Sequence, residues 1–177
     1  NDMALWRLYR VATGEDASAG ILFQDDSRLQ MRERALLLIH GRSSARSDLR
    51  REIRTDVTLE KGSVRGGLAR MDREASLAIE TPASEVDLFS TASVVEVDED
   101  KRSIVSVHEG LAQVSAQGET VEVPRDFGTT VKMGARPAKP RPLPPPPEWA
   151  EDSGSRLIVV VPGRTGAFTA RWLPVET

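Results

Sequence analysis

Between Ala78 and Pro144 the chain is punctuated at short, nearly even intervals. Apolar-polar runs at Glu85–Phe89 (EVDLF), Val94–Asp98 (VVEVD), Ser103–His108 (SIVSVH), Leu111–Ser115 (LAQVS), Thr120–Val123 (TVEV) and Gly128–Met133 (GTTVKM) are separated by turn residues. Period-two alternation puts every second side chain on one face of an extended strand, so Val86, Leu88, Val95 and Val97 are expected to point inward. Turn signals about every eight to twelve residues leave little room for helices, and no segment carries a sustained helical period. This regularity predicts an all-β chain of many short strands, arranged as a short β-solenoid-like or a rolled β-sandwich domain.

The same rhythm holds upstream. Ala4–Val11 reads as a strand with apolar groups on both faces, Ala19–Gln24 as a second, and Asp25-Asp26-Ser27 as a turn built on Asx chemistry. Arg28–Arg32 places Leu29 and Met31 on one face, and Ala35–Ile39 is an apolar run closed by His40-Gly41. In Asp56–Glu60, Val57 and Leu59 face inward; Lys61-Gly62 reads as a tight turn, and Ser63–Leu68 as a strand weakened by Gly66 and Gly67. Ser76–Glu80, with Leu77 and Ile79 inward, stops at Thr81-Pro82, because proline lacks an N–H and restricts the residue before it.

Ala135–Pro147 breaks the pattern. Seven prolines fall between Arg136 and Glu148, a composition that takes polyproline II geometry and acts as a semi-rigid tether. Its PxxP spacing also suits an adaptor-domain ligand, a minor reading beside the tether, and Leu143 is placed to pack on a domain surface. After Trp149, Arg156–Val161 and Ala167–Trp172 flank a turn at Pro162–Gly166, giving a C-terminal β-hairpin. The expected organisation is a β domain over 4–135, a proline-rich tether over 136–148 and a C-terminal strand pair over 149–177.

Charge narrows the partners. The 177 residues carry 24 basic and 27 acidic side chains, a net −3 with the signs interspersed, so nothing favours nucleic acid. Arg42–Arg54 (RSSARSDLRREIR) is a local exception, read as a solvated, mobile loop in preference to a phosphate or anionic-glycan patch. The absence of cysteine excludes disulfides, Cys-based zinc sites and thiol catalysis. No apolar run approaches the roughly 20 residues that span a bilayer, and no signal peptide is visible.

No catalytic, cofactor-binding or metal-binding residues are predicted, and the chain is not expected to be an enzyme. His40 and His108 each lie at a strand end beside a glycine turn, the setting of a partly buried histidine bonded to backbone. Asp98-Glu99-Asp100 lacks the spacing and closing glutamate of a calcium loop and reads as a charged hairpin tip. Gly66-Gly67 as an anion nest lacks the lysine or helix start of a phosphate loop. No serine sits in a nucleophile elbow. A sugar-binding platform would draw on Trp6, Trp149 or Trp172.

Several of these pieces, in order, resemble a FecR domain. Thr13–Ile39 (TGEDASAGILFQDDSRLQMRERALLLI) is similar to the family's opening, and Leu59–Leu68 (LEKGSVRGGL) to its glycine-bearing coil. Thr81-Pro82-Ala83 with Val86, Val105–Val114 (VSVHEGLAQV), and Phe127-Gly128 with Val131 are similar to its later strands. Two positions depart: Ser90-Thr91 stands where Gly-Thr is usual, and Asp26-Ser27 where Asp-Gly-Ser is. The tail, ending in Trp172-Leu173-Pro174-Val175, is similar to a subgroup in which a proline tether leads into a fibronectin-III-like segment.

The resemblance implies a bacterial, periplasmic or cell-surface module with a protein partner in the envelope and peptidoglycan as a further candidate ligand. A non-catalytic scaffold or binding role is the first expectation. The extracytoplasmic sensor domain of a FecR-type sigma-factor regulator is the second, and a carbohydrate-binding domain the third.

Overall fold

A computed structural model describes residues 4–5, 8–23, 27–47, 50–68 and 75–145. The chain divides into two units, Asn1–Leu143 and Pro144–Thr177. Only the first is described in any detail. The expected strand pair at 149–177, Trp149, Trp172 and also Trp6 lie outside the described residues.

Among the described residues eleven strands form one sheet: β1 (Arg10–Ala12), β2 (Ala19–Leu22), β3 (Arg28–Met31), β4 (Leu36–Ser47), β5 (Arg50–Gly67), β6 (Ala75–Glu80), β7 (Glu85–Val97), β8 (Ser103–Ala116), β9 (Glu119–Pro124), β10 (Phe127–Val131) and β11 (Arg141–Pro142). The fold is all-β, as the alternation predicts. Three of the strands are long, and each serves two sheet segments. The first part of β5 pairs with β4 on one side and, in parallel, with β6 on the other. Its last part pairs with β3 and β7. β7 begins against β6 and ends against β5, with β8 along its other side throughout. β8 in turn meets β10 with its first part and β9 with its last. The circuit β5–β6–β7 is therefore closed, with β6 inserted where β5 and β7 part.

Two corners allow this, and both correct the expected chain reversals. Lys61-Gly62 and Glu109-Gly110 lie within continuous strands. The β4–β5 register slips between Leu36 and Leu37, opposite Lys61 and Leu59. The β7–β8 register slips around Ala92, opposite Glu109. Gly62 has φ +85° and Gly110 φ +92°, so each supplies the left-handed residue on which a strand bends. Ser90-Thr91, the departure from the family pattern, lies in β7 opposite this second corner.

Inward residues from both segments make one core. It joins Leu37, Val57, Leu59, Leu77, Ile79, Val86, Leu88 and Val114 to Leu29, Met31, Val64, Val95, Val105, Val107 and Val131, all at most 1% exposed. These are aliphatic and mostly β-branched or Leu, as a chain poor in aromatics requires. The β6–β7 turn is pinned by hydroxyls. Thr81 Oγ1 donates to the Ser84 carbonyl at 2.7 Å, accepts from the Ser84 N–H at 2.9 Å, and lies 2.6 Å from Ser103 Oγ.

Two further expectations change. The strand foreseen from Ala4 starts only at Arg10, after Leu8 at φ +67°. The Arg/Ser segment foreseen as a loop runs as backbone ladder, from Arg42 opposite Thr55 to Ser47 opposite Arg50. We call this extension the arm.

Candidate functional site

The described residues bring no catalytic set together. His40 lies 2.7 Å from Thr58 Oγ1, which donates onward to Glu80 Oε2 at 3.2 Å. This row crosses β4, β5 and β6 and has the members of a hydroxyl-histidine-acid triad in the wrong order. The acid holds the hydroxyl, where a triad needs it on the imidazole. The hydroxyl proton is committed to Glu80, so the imidazole donates to Thr58 and does not serve as its base. His40 is thus bonded to the Thr58 side chain. His108 is exposed at the β8 corner, not half-buried. No group of three or more His, Cys, Asp or Glu among the described residues is placed to hold a metal ion.

Asp98-Glu99-Asp100 forms the tip between β7 and β8. Asp98 accepts from the Arg102 N–H at 2.9 Å and from Arg102 Nε at 2.7 Å. Burial acts to raise the Asp98 carboxyl; the Arg102 hydrogen bonds and positive charge outweigh it and hold the group below its ordinary value. The carboxylate is thereby engaged in closing the tip. Gly66 and Gly67 are not a nest: neither has positive φ, and both lie in the ladder opposite Leu29 and Arg28. A Cβ on Gly66 would strike the Leu29 side chain, so this glycine serves close packing.

What the geometry builds instead is a set of sheet edges. Residues 136–143, the first part of the proline segment, run along β10. Ala138 N–H donates to the Thr130 carbonyl at 3.1 Å, and Leu143 N–H to the Asp126 carbonyl at 2.8 Å. Thr129 Oγ1 donates to the Ala138 carbonyl at 2.6 Å, Gly128 pairs with Arg141, and Leu143 rests beside Gly128. The prolines obey the ladder. Arg141 and Leu143 turn their backbone to β10, whereas Pro140 and Pro142 occupy the alternate positions, whose N–H would face outward. This strap covers β10, and at Pro140 and Pro142 it has no outward N–H to offer.

The strands, their order and their closed circuit define an all-β module. The FecR protein family model matches residues 9–113, and the chain belongs to the FecR protein family. Membership of this family makes it an extracytoplasmic module of the bacterial envelope. No curated protein sequence matches it. Two crystal structures, at 1.65 and 2.50 Å, of a protein from Parabacteroides distasonis ATCC 8503 assigned as an anti-sigma factor share its fold. Each superposes with a TM-score of 0.61 at 14% identity, over 77% of this chain and 60% of the other. The chain thus spans about 60% of the length of those proteins. Among the described residues no helix is long and apolar enough to cross a membrane.

Proposed function

We propose that this chain is the extracytoplasmic sensor domain of a FecR-type sigma-factor regulator and acts by binding a protein partner in the envelope. The observation that carries this is the fold shared with a protein assigned as an anti-sigma factor, over 77% of the chain. It moves the sensor reading ahead of the scaffold reading, which the sequence alone puts first. Both readings require a protein ligand, and open sheet edges supply backbone groups for one. Peptidoglycan binding and a fibronectin-III-like second unit rest on the sequence resemblance. Within the fold, the largely antiparallel pairing supports a rolled sheet over a solenoid.

In the native protein, in-frame deletion of 9–143 is expected to uncouple the regulator's sigma-dependent transcripts from the inducing signal. Transcript levels that still follow the signal after the deletion would overturn this reading.

A further inference from the structure

Charges that are interspersed along the sequence are sorted by the fold. Directly opposed residues of neighbouring strands share a face, so the register can be followed as rows across the sheet. Around the inserted β6, one outward row runs from Arg10 through Thr58, Glu80 and Glu85 to Thr120. The next runs from Asp56 through Asp87 and Gln113 to Glu122. Val57, Ile79, Val86 and Val114, which alternate with them, are buried. These two rows hold five acids and one base, Arg10, and that base is bonded to Glu60, two places beyond Thr58 on β5.

Beyond the two corners the sign reverses. There an outward row runs from Gln30 through Arg65, Val94 and Ser106 to Gly128 and Arg141. Arg28 and Arg32 flank Gln30 on the same face of β3, and the Arg32 N–H continues the ladder onto the Ser63 carbonyl. The alternate residues Leu29, Met31, Val64, Val95 and Val105 are buried. Arg28, Arg32, Arg65 and Arg141 are all exposed, and Glu96, in the next row, is the acid that stands among them. Both sheet segments turn their inner faces to one core, so the acidic face and the arginine face look away from each other. Folding asks only for polar groups at outward positions, and mixed signs on each face would serve solubility as well.

We propose that the acidic face of one copy of this domain docks on the arginine face of a second copy. The chain itself carries the complementarity: one face holds carboxylates, and the other holds the guanidinium groups that bind carboxylates in bidentate pairs. The contact is head to tail. A two-fold dimer through either face would set like charges against each other. A heterologous contact sets unlike charges together and leaves one face open at each end for a further copy. A partner protein of a single sign would satisfy one face only. The inference is independent of the sensor reading, because it concerns how copies of the module meet and not which signal they receive.

The test is sedimentation velocity of the full chain over a range of concentrations. At about 10 mM salt, where the Debye length is about 30 Å, a concentration-dependent series of species is expected. At about 1 M salt, where it is about 3 Å, the series should collapse to the monomer. E80K/E122K reverses exposed carboxylates of one face, and R28E/R65E reverses exposed guanidinium groups of the other. Each variant, shown to be folded by circular dichroism, should self-associate at least about tenfold more weakly. Mixed in equal amounts, the two should form a 1:1 complex that grows no further, because the first keeps its arginine face and the second its acidic face. A full chain that stays monomeric at low salt overturns the proposal. So does a series that survives high salt, a folded variant that self-associates as the unsubstituted chain does, or a mixture that forms no complex. The experiment has no transcriptional readout, so its failure and failure of the sensor reading are separately visible.

Discussion

At the scale of single residues, backbone conformation matters more than side-chain chemistry. Gly62 combines φ +85° with a would-be Cβ only 2.5 Å from Ala35 Cα. Gly118 has φ +76° and nothing within 4 Å. Gly118→Ala should therefore cost about 1 kcal/mol, the strain of the left-handed region alone. Gly62→Ala should cost upwards of about 3 kcal/mol, because backbone must move as well. Urea denaturation of the two variants checks the order; equal costs would mean that the corner at Gly62 is not held against Ala35. Asp98 makes a prediction about acid. Its folded value lies below the unfolded one, so its contribution is fully present above the unfolded carboxylate value and is lost as pH falls through the folded value. Asp98→Asn should lower the denaturation midpoint at neutral pH, and the gap from the unsubstituted chain should close on acidification. A gap independent of pH would separate Asp98 from the titration.

At the scale of elements, the strands were legible and their ends were not. Alternation at Val57/Leu59, Leu77/Ile79, Val86/Leu88 and Val95/Val97 placed the right residues inside, because a buried face leaves its period in the sequence whatever the topology. A glycine with positive φ leaves the same mark in a chain reversal as in a bulged corner. Gly62 and Gly110 therefore cut β5 and β8 into shorter strands when read from sequence. The arm was missed for the opposite reason: Ser and Arg have neither apolar alternation nor strong strand propensity, and its ladder extends a register set by Val57 and Leu59. Of the candidate site, the prolines of the strap were visible in the sequence, but their register against β10 was not, since it depends on where Arg141 meets Gly128. The strap yields a prediction at this scale. Chains ending at Leu143 and at Ala135 differ only in residues 136–143. The shorter should have a lower thermal midpoint and associate with itself in sedimentation experiments, because β10 then presents an open edge. A shorter chain that remains monomeric and equally stable would show that the strap is dispensable.

At the scale of the molecule, the three long strands tie both sheet segments to one core. Most pairings join neighbours in sequence: β4 with β5, β7 with β8, β8 with β9. β5 with β7 is an exception, and β6, in parallel register with β5, is inserted between them. That insertion has a kinetic consequence. The hairpins close short loops and can form early, whereas β6 has a place to enter only after β5 and β7 have met at their far ends. The closed circuit is thus expected to be completed after the rate-limiting step. Leu77→Ala in β6 should cost about 3 kcal/mol and appear almost wholly as faster unfolding, while Val95→Ala in β7 should slow refolding. Stopped-flow chevrons distinguish the two. A Leu77→Ala chain that refolds slowly would instead make the inserted strand part of the nucleus around which the rest of the sheet assembles.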